Sequence, residues 1–410
     1  MGPIFSPEQN GRRDNLTATN LKIAFHVLGD AGWIFGRVYL RGLLAALRAR
    51  FGVEMGLFLL APEGQNGAAD FARAVRADAL LEYRTHRPWT APWALDRAAQ
   101  RLLARDLGKE NLLRAQGIQA LFGMQLAFEV PKVATLSLIP DFQHVHLPDM
   151  FSLAEIEFRE QIFRETARRA TRVIVFSETV RKDFQAFAPR QAEKARALPP
   201  VSVVPPGVYE QPVAPLLERL HLPAKFIYLP NQFWKHKNHA AAFQAVRILR
   251  GRGVDVQLVC SGFPGDYRHP AYFGDVWQKL SEWDVRGQVI FVGQIPHEDV
   301  LRLIRQSLCV LNPSRFEGWG ITVDEARSVG KQVVISDIPA HREQNPPRAT
   351  YFDPNNAEEL AQKLATIWRE TRAGPDAPAE AEAKQAQAGR VRAYAEAFAE
   401  IAKQAVASSR

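Results

Sequence analysis

Short apolar runs alternate along this chain with longer amphipathic stretches. Leu21–Leu28, Val53–Leu60, Ala120–Phe122, Val133–Ile139 and Arg172–Phe176 read as strands. Helical periodicity fills the intervals from about Val38 to Arg50 and from Leu153 to Ala170. Strand–helix alternation of this kind predicts a parallel sheet covered on both faces. The pattern then breaks. Leu198–Val213 is rich in proline, and its apolar run Val201–Val204 ends in Pro205, Pro206 and Gly207, which interrupt regular structure. Beyond that point the alternation repeats. Strands are expected at Phe226–Leu229, Gln257–Cys260, Val289–Phe291, Leu308–Leu311 and Gln332–Ile335. Helices are expected at Ala240–Arg250, Ala271–Trp283 and His297–Arg305.

The division that follows is a first α/β domain over 1–207, a second over 208–385 and a terminal helix over 386–410. Ala373–Gly389, rich in Ala, Glu, Gln and Pro, is expected to be mobile, whereas Val391–Ala405 has helical spacing through Tyr394, Phe398 and Ile401. Parallel sheets bind ligands at the carboxyl ends of their strands, so two such sheets facing each other make a cleft.

The 410 residues suffice for two separate cores. Hydrophobic content of 47% with 23% charge belongs to an ordinary soluble globular chain. No run approaches the roughly 18 apolar residues of a membrane helix. The polar opening MGPIFSPEQNGRRDNLTATN lacks the apolar centre of a signal peptide. Cys260 and Cys309 fall in apolar runs and read as reduced core residues, which places the chain in the cytoplasm.

The net charge of +8 lies mostly in the first 200 residues, around Arg159, Arg164, Arg168, Arg169, Arg172, Arg181 and Lys182. One reading is a solvated helix face with Glu155, Glu157, Glu160 and Glu165 as partners. The other is attraction to anionic lipid headgroups, giving peripheral contact with the inner face of a membrane, or to a pyrophosphate-linked acceptor. No nucleic-acid motif accompanies the charge.

The densest chemistry lies in Asn312–Glu343, NPSRFEGWGITVDEARSVGKQVVISDIPAHRE. Glu317 and Glu325 stand eight positions apart around Gly318, Trp319 and Gly320, and a helix-forming run begins at Ile321. A glycine turn feeding a helix offers unpaired N–H groups and a positive dipole end to a phosphate. Glu317 on the loop then suits sugar hydroxyls, and Glu325 inside the helix suits a ribose, because carboxylates accept strong hydrogen bonds from hydroxyls.

Three further loops follow strands. Tyr228–His239, YLPNQFWKHKNH, carries Lys237 as a cation for a diphosphate. Pro140–Ser152, PDFQHVHLPDMFS, carries Asp141, with His144 and His146 behind it. Gly29–Gly36, GDAGWIFG, provides Gly32 and Gly36 for close backbone approach, and Tyr39 and Arg41 follow as cleft-facing candidates.

These elements together resemble the retaining, family-4 type of GT-B glycosyltransferase, glycosyl transferases group 1, and within it a bacterial subgroup of surface-polysaccharide assembly. The resemblance is densest from 226 to 343. It implies two Rossmann-like domains facing across a cleft, with the acceptor on the first and a nucleotide-sugar on the second. It implies Glu317, Lys237 and Asp141 as catalytic residues. Gly32, Gly36, Gln232, Ile295, Gly318, Trp319, Gly320, Ile321 and Glu325 would hold the donor, Ile295 next to the base.

The chain departs from the family twice. Gln232 stands where an arginine usually joins Lys237 at the diphosphate, with Lys235 and Arg315 as the nearest substitutes, and Pro140 stands where a histidine precedes Asp141. No D-x-D pair occurs, so neither a metal nor any other cofactor is expected. The expected activity moves a hexose-type sugar from a GDP- or UDP-sugar to a glycan or lipid-linked acceptor. A nucleotide-sugar epimerase and a non-catalytic nucleotide-binding subunit are the alternatives.

Overall fold

The computed structural model describes residues 21–27, 34–86, 105–126 and 128–409, with scattered residues from 90 to 102. The first sheet contains β1 (Lys22–His26), β2 (Gly56–Pro62), β3 (Ala79–Tyr83), β4 (Ala120–Met124), β5 (Ala134–Leu138), β6 (Arg172–Val175) and β7 (Ala195–Ala197). These run parallel in the order β3-β2-β1-β4-β5-β6-β7. The second contains β8 (Ile227–Leu229), β9 (Leu258–Cys260), β10 (Val289–Phe291), β11 (Val310–Asn312), β12 (Val333–Ser336) and β13 (Ala349–Phe352). They are again parallel, in the order β10-β9-β8-β11-β12-β13. The order reverses between β8 and β11, and the loops after these two strands are Pro230–Asn238 and Pro313–Gly320. Ligands bind at such reversal points, outside the carboxyl ends of the strands. This is the expected pair of Rossmann-like domains. Cys260 and Cys309 are free and fully buried in the second core.

The chain crosses between the domains twice. β7 completes the first sheet, and Val204 and Val208 already pack in a second-domain cluster. The second crossing is the helix Ala377–Ser408. It starts earlier than the sequence reading has it, because the stretch expected to be mobile is helical from Ala377. The physical reasons are local. Asp376 accepts from the Ala379 N–H at 3.2 Å as N-cap, Pro378 sits in the first turn, and Ala, Glu and Gln are strong helix formers. Near its start Glu380 pairs with Arg305 at 2.6 Å in the second domain. Further on, Phe398 stacks on Phe25 with ring centroids 5.7 Å apart and meets Phe122 edge-on at 5.6 Å. Tyr394, Ile401, Ala402 and Ala405 complete that first-domain core.

The first-domain loop reads differently from expectation. Gly32 lies outside the described residues. Gly36 is in the helix Ile34–Phe51, which begins ahead of Val38, and not in a loop. Tyr39 is buried in the first core beside Tyr394, not turned to the cleft. Its position on the helix puts it on the stripe of Leu40, Leu43 and Leu47, and tertiary packing decides its direction.

Both crossings are tied to one residue. Asp324, almost wholly buried, accepts the Ser202 N–H at 2.6 Å and pairs with Arg390 at 3.1 Å. Arg390 also donates to Ser328 Oγ at 2.7 Å, and Gln387 donates to the Ser202 carbonyl at 2.7 Å. Burial pushes the Asp324 carboxyl upward against the pull of Arg390 and Ser202. Removing one member of a buried pair leaves the other uncompensated, which typically costs about 3–5 kcal/mol. Arg390→Ala should therefore lower the melting temperature, while Arg390→Ala combined with Asp324→Leu should recover much of the loss. Thermal unfolding of both variants checks this, and equal melting temperatures for wild type and Arg390→Ala would refute it.

Candidate functional site

The loop after β11 is built by side chains folding back on themselves. Asn312 Oδ1 accepts from Ser314 Oγ at 2.6 Å and from Asn231 Nδ2 at 3.3 Å. Asn238, in left-handed backbone at φ 59°, donates to the Pro313 carbonyl at 3.1 Å and the Pro354 carbonyl at 2.9 Å. The Arg315 N–H donates to the His236 carbonyl at 2.8 Å. These bonds fix the β8 and β11 loops against each other.

Glu317 and Lys237 meet where the loops meet. Lys237 Nζ lies 2.7 Å from Glu317 Oε1, which also accepts from Ser314 Oγ at 2.7 Å. Burial alone would raise the Glu317 carboxyl. Lys237, His341 and Ser314 together outweigh it and hold the group below the ordinary carboxylate range. Gln232 is half-buried on the same loop, whereas Lys235 and Arg315 are exposed.

Gly318 and Gly320 are required by geometry. A Cβ on Gly318 would lie 2.3 Å from the Pro140 carbonyl oxygen and 3.1 Å from Asp141 Cβ, so the two domains touch here with no room for a side chain. Gly320 has φ 92° and precedes the helix Ile321–Ser328. Trp319, between them, packs its indole into the first-domain core, leaving its backbone on the loop. Asp141 Oδ1 accepts the Gln143 N–H at 3.0 Å. Gln143 Oε1 in turn accepts from Arg268 Nη1 at 2.8 Å, a bond across the cleft. Arg268 is held by Asp266 at 3.1 Å and lies over the Phe151 ring at 4.8 Å. His144 is buried against Phe142, Phe151 and Phe163 and reads as a core residue.

Glu325, one turn into the helix, is not alone. His297 Nε2 lies 2.6 Å from Glu325 Oε1. His297 opens the helix His297–Gln306, directly after the Gly293–Pro296 segment that carries Ile295. Burial pulls this imidazole down, and the Glu325 carboxylate more than reverses it, so its pKa is raised. Sequence reasoning missed His297 because it lies 28 positions from its partner. It missed Arg268 for the same reason, since Gln143 is 125 positions away.

Two facing parallel-sheet domains, with a glycine loop, a lysine and two carboxylates at the reversal of the second sheet, define the GT-B glycosyltransferase fold. Residues 219–390 match the family described as glycosyl transferases group 1, and the chain carries that family's domain. Over 141 residues it is 28% identical to the O-antigen chain mannosyltransferase B of Escherichia coli, covering 33% of this chain and 35% of that one. It is 20% identical over 229 residues to the O-antigen chain mannosyltransferase RfbU of Salmonella typhimurium, covering 56% of this chain and 59% of that one. The matched segments thus span about a third and about three fifths of these relatives. Among solved structures, Anabaena HepE in complex with UDP and glucose superposes with a TM-score of 0.66 at 16% identity, over 93% of this chain and 99% of that one.

The His297–Glu325 pair has a pH signature. A raised imidazole pKa contributes stability that is fully present below the unfolded value of about 6.5 and is lost as pH rises through the folded value. The His297 ring should titrate above that unfolded value in the nucleotide-free protein, and Glu325→Gln should bring it down. Histidine NMR titration measures this, and an unmoved titration in the variant would disprove the coupling.

Proposed function

We propose that this protein is a retaining glycosyltransferase of bacterial surface-polysaccharide synthesis. It moves a hexose-type sugar from a GDP- or UDP-sugar to a glycan or lipid-linked acceptor, as the O-antigen names of its relatives support. The observation that carries the reading is the Lys237–Glu317 pair at 2.7 Å, set beside the Gly318–Gly320 loop and opposite Asp141. That arrangement suits a diphosphate over the glycine loop and a sugar between Glu317 and Asp141.

In this mechanism the acceptor hydroxyl attacks the anomeric carbon on the face from which the diphosphate leaves. The sugar–phosphate C–O bond breaks with its electron pair going to the phosphate oxygen, and that oxygen takes the acceptor proton. Charge develops on the diphosphate, and in this reading Lys237 and the Gly318–Ile321 amides stabilise it. Glu317 holds the sugar hydroxyls, Asp141 faces the sugar from the first domain, and Glu325 holds the ribose with Ile295 beside the base. Cross-cleft contacts exclude water that would hydrolyse the donor.

The helix Leu153–Arg169 leaves Leu153 and Phe158 exposed, and Arg164 and Arg168 are exposed further along it. Glu160 and Glu165 pair with those arginines and take up part of their charge. The exposed apolar pair supports peripheral contact with a membrane surface. No helix among the described residues is long and apolar enough to cross a membrane.

A panel of nucleotide-sugars, with and without lipid-linked acceptors, tests the activity, and conversion of a lone nucleotide-sugar into an epimer would count against it. Transfer should survive EDTA, because the lysine and the helix N-terminus neutralise the diphosphate without a divalent ion. Loss on chelation with recovery on adding Mg²⁺ or Mn²⁺ would overturn that account.

Lys237→Ala should cut turnover by about 100- to 1000-fold, the usual loss on removing one preorganised donor. It also strands the Glu317 carboxylate. Adding Glu317→Gln should restore stability but not turnover, and recovery of turnover in the double variant would refute the role of Lys237.

A further inference from the structure

The diphosphate site has one fixed cation where the related pattern has two, because position 232 is a glutamine. Lys235 and Arg315 are exposed, and neither completes the site in this structure. A different group lies under the glycine loop. His341, on the helix Pro339–Gln344 after β12, is fully buried. A Cβ on Gly320 would sit 3.3 Å from its Nε2, so the ring edge touches the residue that opens the helix Ile321–Ser328. That Nε2 has no hydrogen-bond partner. A buried, unpartnered nitrogen at a helix N-terminus that the fold aims at a diphosphate is an incomplete site.

The other ring nitrogen fixes what His341 can do. Nδ1 lies 2.8 Å from the Ser336 carbonyl oxygen, which only accepts, so Nδ1 carries a hydrogen. The neutral ring therefore presents a bare Nε2, an acceptor that repels a phosphate oxygen. Only the imidazolium donates from Nε2. The charged groups acting on the ring are Glu317 and Asp337, which favour its charge, and Lys237, which opposes it. Burial holds its pKa below the ordinary value and so favours the neutral ring. A diphosphate brings further negative charge to this place and tips the balance.

We propose that His341 is the second cation of the leaving-group site, taking up a proton from solvent when the nucleotide diphosphate binds and donating Nε2–H to it. This rests on the reading of the site given above and adds a residue to it. The buried ring of this chain would replace the absent arginine, and the replacement is conditional, because it is charged only with the anion present. The Ser336 carbonyl holds the ring, and Tyr351 holds the backbone of the residue by donating to the His341 carbonyl at 3.2 Å.

The test is calorimetric titration of UDP and of GDP into the full chain at pH 7.5–8, in buffers of differing ionisation enthalpy. Wild type should take up about one more proton per bound nucleotide than His341→Ala or His341→Gln. His341→Ala should bind about ten- to a hundredfold more weakly, the effect of one hydrogen bond to a charged group. His341→Gln can donate without a proton, so it should recover part of that affinity but none of the uptake. Equal proton uptake in wild type and both variants, with all three folded by melting temperature, would overturn the proposal. Failure of wild type to bind either nucleotide would overturn the underlying site reading together with it.

Discussion

The arrangement of the two domains hangs on one buried carboxylate. Asp324 accepts a hydrogen bond from Ser202 in the first crossing and pairs with Arg390 in the second. It does so from the helix that also carries Glu325. An isolated charge at such depth is strongly unfavourable, so both partners must be present together. The consequence is that the helix beneath the glycine loop cannot shift without disturbing both crossings. The contacts of Asp324 with both crossings and the contact of Glu325 with His297 come from neighbouring residues of the same eight-residue element.

The remaining contacts across the cleft extend this constraint around its rim. Glu343 accepts from the N–H groups of Glu178 and Thr179 at 2.6 and 2.8 Å and from Thr179 Oγ1 at 2.7 Å, capping a first-domain helix from the second domain. Tyr267 donates to Glu155 at 2.7 Å. Arg268 reaches Gln143, and Gln143 in turn holds the Asp141 carboxylate. The second-domain segment Asp266–Arg268 thus bears on the position of the Asp141 carboxylate in the first domain.

Much of this was legible in the chain because it is local. Apolar runs located the strands of both sheets, and the glycines between Glu317 and Glu325 marked the turn that opens the helix Ile321–Ser328, since only backbone chemistry is needed to read them. What stayed hidden depends on distant partners. Nothing near Glu325 announces His297, and nothing near Asp141 announces Arg268. Tyr39 looked available until Tyr394 covered it. The stretch after Ala373 was misjudged because its composition suits both a linker and a helix, and Asp376, as a cap, decides for the helix. His341 sits in the quoted motif, yet its unpaired nitrogen shows only once Gly320 is seen against it.

The stacking of Phe398 on Phe25 also bears on how the chain reaches its native state. A ribosome releases residues in order, and the strand carrying Phe25 emerges long before the helix that covers it. The first domain can form its sheet early, but the apolar surface around Phe25 and Phe122 stays open until residues 394–406 have been released. Contacts of such sequence separation close late and slowly. Until then that surface lacks its native cover, and the turns from Tyr394 to Val406 close a core begun by the strand that carries Phe25.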